Sequence, residues 1–210
     1  MGTTSRTRFW DCPEFICADD VSRDFLTSHG FSCLLNAATR EFSGTSKEHF
    51  HHSSFPSDKA AYTVSLKLEA ALAYLEAGHS VLFSDVDAFW LQDPVADILK
   101  QGVDLAFQPG SFPNEAKEAW GFAVCTGFFY MRPCTATRRI AERVQQRFDG
   151  SDQRTLNAVL LDEFDITWSN RPSGWETCLE DGGWTSPITG VCAKTGLRLL
   201  ALPHAILPAP

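Results

Sequence analysis

Asp85 and Asp87 stand two positions apart at the end of the apolar run Val81-Leu82-Phe83-Ser84. On an extended backbone residues i and i+2 point the same way, so both carboxylates face one point if the strand stays extended there. Two carboxylates at one point repel unless a cation lies between them. Short carboxylate oxygens suit a hard divalent ion, Mn²⁺ or Mg²⁺, with positions left open for phosphate oxygens. The plainer alternative is a solvated turn, because Asp is common in turns. Three other sites carry chemistry-bearing residues. Lys67 interrupts the apolar stripe Val64, Leu68, Ala71, Leu72 and Leu75, so its ammonium must snorkel to water or find an anion. Asp152 and Gln153 follow Ser151 at a helix start, where a positive dipole end gathers. Asp19 follows the first apolar run, at the strand end where layered α/β sheets take ligands, and is a candidate nucleoside contact.

These residues need a scaffold. Phe15 to Ala18 reads as a strand, Val21 to Ser28 as a helix closed by Gly30, and Phe31 to Leu35 as a second strand. Asp58 to Glu76 is the clearest helix, and Gly78 ends it before the strand that carries the aspartates. Helices are expected at Val95 to Lys100 and Thr135 to Phe148, with another capped by Ser151. Strands are expected at Leu105 to Gln108, at Gly121 to Val124 and Gly127 to Met131 with a break at Cys125-Thr126, at Ile166 to Trp168 and at Leu197 to Leu202. Pro109 to Glu118 and Arg171 to Thr195 read as loops, the second as an ordered loop or hairpin beside an acceptor. Asn36 to Pro56 lacks periodicity. Its His49, His51 and His52 fit no zinc spacing, and a mobile polar loop, of the kind that can serve as a lid, is the better reading.

The 210 residues suit one domain, 1–210, with a full core. A net charge of -8 and the absence of any basic run argue against a nucleic-acid surface. No apolar stretch approaches the length of a membrane span, and no apolar segment backs Met1 to Arg6 as a signal peptide would require. None of the seven cysteines falls in a Cys-x-x-Cys pair. Cys17, Cys33 and Cys125 read as small core residues, and Cys178 with Cys192 is a candidate bridge across a Gly-rich segment.

Taken together, Lys67, the run from Gly78 to Trp90 and Asp93-Pro94 resemble the nucleotide-diphospho-sugar transferase family, which includes plant and algal cell-wall xylosyl- and arabinosyltransferases. Cys125-Thr126-Gly127 matches its Asn-Thr-Gly strand motif with Cys125 in place of Asn. Asp152-Gln153-Arg154-Thr155-Leu156-Asn157 matches its Asp-Gln-x-x-x-Asn helix start, and Leu200 to Pro203 its late strand. The resemblance implies a GT-A fold, a Rossmann-like α/β sandwich with a mixed, mostly parallel sheet and helices on both faces. It implies Mn²⁺ (or Mg²⁺) at Asp85 and Asp87, and a donor held by Asp19, Lys67, Asp85, Asp87, Thr126 and Gly127. Asp152 and Gln153 are its catalytic candidates. It further implies transfer from a UDP-sugar to a glycan or glycoprotein acceptor with retention of configuration, in the Golgi lumen. Family members carry a further metal-binding histidine after the late strand. The chain ends at Pro210, and His204 precedes that position, so a truncated domain or a weak metal site is expected.

Two rival readings remain. One is a non-catalytic sugar-nucleotide-binding domain. The other is a haloacid-dehalogenase-type phosphatase, whose first Asp is a nucleophile. That class places its motif on the first strand and follows it with Gly-Thr, whereas Ala88-Phe89 follows here.

Overall fold

The structure, a computed structural model, describes residues 13–17, 20–35, 58–88, 94–169 and 187–203. Asp19, the three-histidine segment, Cys12, Cys178 and His204 lie outside these residues. The fold falls into two compact units, divided between residues 49 and 50.

The first unit is a strand–helix–strand repeat. β1 (Glu14–Cys17) and β2 (Ser32–Leu35) pair in parallel, Glu14 opposite Ser32. Parallel neighbours need a crossover. α1 (Asp20–Ser28) supplies it and ends at Gly30, whose φ of 84° suits a residue without a Cβ. The Phe15 and Phe31 rings meet edge-on at 5.2 Å.

The second unit opens with α2 (Asp58–Glu76) and β3 (Val81–Ser84). α3 (Val95–Gln101), β4 (Leu105–Gly110), α4 (Asn114–Trp120) and β5 (Ala123–Met131) follow. After them come α5 (Thr135–Arg147), α6 (Asp152–Glu163), β6 (Ile166–Ser169), β7 (Ile188–Cys192) and β8 (Arg198–Ala201). Six strands form one sheet in the order β3-β5-β4-β8-β7-β6. Among the described residues only β4 and β8 run parallel in it; the other neighbours are antiparallel. The sheet is mixed as expected, but the expectation of a mostly parallel one is corrected. Helical crossovers were read as βαβ units, yet β5 lies between β3 and β4 and runs against both.

The alternation of β5 builds the core. Phe129 and Met131 join a large apolar cluster with Leu68 and Leu75 of α2, Ile140 and Val144 of α5, and Leu156 and Leu160 of α6. Phe128 and Tyr130 point the other way, to a smaller cluster with Ile98 of α3 and Leu200. Helices therefore cover both faces.

Three expectations about this unit change. Pro109 to Glu118 is not a loop: β4 continues to Gly110, and α4 buries Ala116 and Trp120. Proline is tolerated there because β8 leaves β4 after Phe107, opposite Ala201. Secondly, β5 is continuous. β3 stops opposite Phe128 and β4 places Pro109 opposite Val124, so the ladder is thin at Val124. The buried Asn157 amide fills the gap, accepting the Val124 N–H and donating to its carbonyl, both at 2.8 Å. Thirdly, β7 emerges from the segment read as loop or hairpin. Gly190 hid it, since glycine weakens a strand pattern. It is needed because a Cβ there would lie 2.6 Å from the Trp168 ring. Trp168 packs on Phe107, Trp120 and Phe122, with centroids 5.0–6.0 Å away. Cys192 is a buried free thiol, not half of a bridge.

Gly190→Ala is expected to destabilise the protein by about 2 kcal/mol through overpacking against Trp168, read as a lower urea midpoint at unchanged slope.

Candidate functional site

The site forms where β3 ends. The Asp85 N–H donates to the Gly127 carbonyl at 2.7 Å as the last rung toward β5. The chain then turns, and the Ala88 N–H closes on the Asp85 carbonyl at 3.1 Å. Strand alternation therefore stops at Ser84 and does not align Asp87 with Asp85, which corrects the extended geometry expected for the pair. Asp87 is exposed, while the Asp85 side chain is 36% exposed.

Lys67 finds two anions. Its ammonium lies 3.0 Å from Asp85 Oδ1 and 3.2 Å from Asp152 Oδ2, and it donates to Asp85 Oδ2 at 3.2 Å. Asp152 is almost wholly buried at the first turn of α6, and no hydrogen bond is aligned on its Oδ2. The nearby ammonium is its compensation. Burial works against the charged lysine, but the Asp152 and Asp85 carboxylates outweigh it and hold the Lys67 pKa above the usual value. The ammonium also lies 5.3 Å from the centroid of Phe83.

Gly127 makes this closeness possible. A Cβ there would stand 3.0 Å from Asp85 Oδ2. Beside it, Cys125 Sγ accepts the Gly127 N–H at 3.4 Å. Burial pushes the Cys125 thiol up, against the opposing pull of that N–H and of Lys67, so it stays neutral at pH 7.

The first turn of α6 is set by Ser151, whose hydroxyl caps the Arg154 N–H at 3.3 Å as expected. Gln153 then bridges two elements. Its Oε1 accepts the Thr126 N–H at 3.3 Å, and its Nε2 donates to the Phe112 carbonyl at 2.5 Å. Thr126 itself is buried. The structure thus gathers Lys67, Asp85, Gly127 and Asp152 closely, with Thr126 and Gln153 adjoining, and Asp87 follows in the turn. A cavity of about 260 Å³ between α2 and the end of α5 also reaches Asp152, past Leu68, Glu69, Val144 and Phe148.

Arg132, a candidate second cation by position, lies elsewhere. It donates to Asp104 at the start of β4, and Asp104 Oδ2 accepts the Arg198 N–H at 2.9 Å. Met131 is opposite Val81, so Arg132 lies beyond the start of β3, the end away from Asp85. What sequence reasoning missed was the anchoring role of Asn157 and Gln153. Their spacing of four on one helix face was the available signal.

Three carboxylates, Asp85, Asp87 and Asp152, against the single ammonium of Lys67 leave two formal negative charges. That charge and oxygen-only donor type fit one hard divalent ion. Among the described residues no group of three or more His, Cys, Asp or Glu is arranged to hold a metal. Any such ion would therefore take most of its shell from ligand and water.

Lys67→Met strands the buried Asp152 carboxylate and is expected to cost about 3 kcal/mol of stability, whereas Lys67→Arg, measured in the same urea titration, retains most of it.

Among the described residues, no helix is long and apolar enough to cross a membrane. Searches of curated proteins and of solved structures return no match. The family model for nucleotide-diphospho-sugar transferases matches residues 14–206, nearly the whole chain. With Lys67, Asp85, Gly127 and Asp152 gathered at one strand end, that match places the chain in the nucleotide-diphospho-sugar transferase family.

Proposed function

We propose that the chain is a metal-dependent, GT-A-type glycosyltransferase. It moves a sugar from a UDP-sugar to a glycan acceptor with retention of configuration, in the Golgi lumen. Family membership supports a nucleotide-sugar donor and a glycan acceptor. The observation that carries the reading further is the Lys67 ammonium shared between Asp85 and Asp152.

In this reading Asp85 and Asp87 would hold Mn²⁺ or Mg²⁺, whose charge would offset that of the departing diphosphate. The bond from anomeric carbon to phosphate oxygen breaks, its electron pair leaves with the diphosphate, and a bond to the acceptor hydroxyl oxygen forms as that hydroxyl gives its proton to the departing phosphate oxygen. Positive charge develops at the sugar, and the carboxylate of Asp152 faces it. Lys67 fixes Asp152 in place through a contact of 3.2 Å and keeps Asp85 anchored beneath Gly127. Because these groups hold one another directly, at 3.0 and 3.2 Å, little reorganisation accompanies the reaction.

A non-catalytic nucleotide-sugar-binding domain is the second reading. It is favoured by Gln153, whose amide already spends one acceptor and one donor position on the protein backbone.

Thermal unfolding with Mn²⁺ and a panel of UDP-sugars tests the donor site. At about 100 times Kd the expected stabilisation is ~2.7 kcal/mol, a rise of roughly 5–10 °C for a chain of this size. Asp87→Ala, an exposed substitution, is expected to remove that rise. A panel that leaves the melting temperature unchanged in the wild type counts against any nucleotide-sugar site.

A further inference from the structure

Phe112 follows the end of β4 and is 40% exposed. A lone exposed ring needs no explanation. This one, however, is held from two sides by the first turn of α6. Gln153 Nε2 fixes its carbonyl at 2.5 Å, and the Arg154 guanidinium lies 5.4 Å from its ring centroid. The same Gln153 amide holds the N–H of Thr126, the neighbour of Gly127, whose carbonyl holds Asp85. Three consecutive side chains thus divide the work. Asp152 faces the Lys67–Asp85 cluster, Gln153 ties that cluster to the β4 turn, and Arg154 steadies the ring.

We propose that Phe112 is the stacking platform for the acceptor, and that it receives the apolar C–H face of a neutral sugar ring while Arg154 supports the aromatic ring. The proposal rests on the glycosyltransferase reading and names where the second substrate binds. An aromatic ring has a negative face and a rigid, two-torsion attachment, so it binds the weakly positive C–H face of a sugar at small entropic cost. The hydroxyls of that sugar stay at its edge, free of the ring face. The Gln153 clamp gives the platform a fixed offset from the donor residues, which a loop tip alone would lack. This also assigns the Gln153 amide a positioning role, in which it sets the acceptor turn against the donor strand.

The test is saturation-transfer NMR on the full chain in the presence of UDP and Mn²⁺, with short xylo-, arabino- and galacto-oligosaccharides as probes. At least one probe is expected to show transfer to its ring C–H protons. Phe112→Leu, which keeps an apolar side chain but removes the ring face, is expected to weaken that probe about tenfold, and Phe112→Tyr to restore it. A purely structural role for the ring would shift the melting temperature of Phe112→Leu without this pattern. Equal affinity in Phe112→Leu and wild type overturns the platform. So does the absence of any oligosaccharide contact in a wild-type protein that binds UDP in the same sample. A wild type that fails to bind UDP contradicts the donor reading itself.

Discussion

One buried ammonium sets the terms for the second unit. Lys67 sits on the core-facing stripe of α2, where a bare charge would cost several kcal/mol. It is tolerated because α6 begins with Asp152 directly against it and β3 ends with Asp85 alongside. The converse also holds: among the described residues, the almost wholly buried Asp152 is compensated by that ammonium. A helix, a strand end and a helix start are thereby held in one arrangement by charge, in addition to the apolar contacts among Leu68, Val144 and Leu156. Charge pairing of this kind fixes geometry more than it raises stability, and a reaction centre needs fixed geometry.

The strand β5 carries that arrangement into the sheet. Its N-terminal half, Ala123 to Gly127, lacks β3 as a neighbour, and two side-chain amides from α6 stand in. Asn157 completes Val124, and Gln153 takes the N–H of Thr126. Backbone groups left without strand partners are thus satisfied by a helix, and the helix start is pinned over the strand. The residues that look reactive in the sequence, Asp152 and Gln153, therefore divide differently. The carboxylate faces the ion cluster, and the amide works as a fastener.

Much of this was legible in the residues themselves. The helix from Asp58 to Glu76, the Ser151 cap and the strand before Asp85 follow from apolar period and capping chemistry, which are local. Lys67 on an apolar stripe had either to snorkel or to find an anion, and it meets two. What escaped depends on contacts far along the chain. The directions of the sheet could not be read from local pattern, because β5 inserts between β3 and β4. β7 was masked by Gly190, which only the Trp168 ring explains. The continuity of β5 depends on Asn157, thirty-three positions from Val124. The alternation argument for Asp85 and Asp87 failed where the strand became a turn, a boundary that propensity places poorly.

A crystal structure of the chain with Mn²⁺ and a UDP-sugar addresses the central claim most directly. The account predicts the diphosphate against the turn that starts at Asp85, with the ion between it and the carboxylates of Asp85 and Asp87, and the sugar facing Asp152 while Lys67 still touches that residue. A nucleotide sugar bound away from this turn, or Lys67 swung clear of Asp152 in the complex, would contradict it.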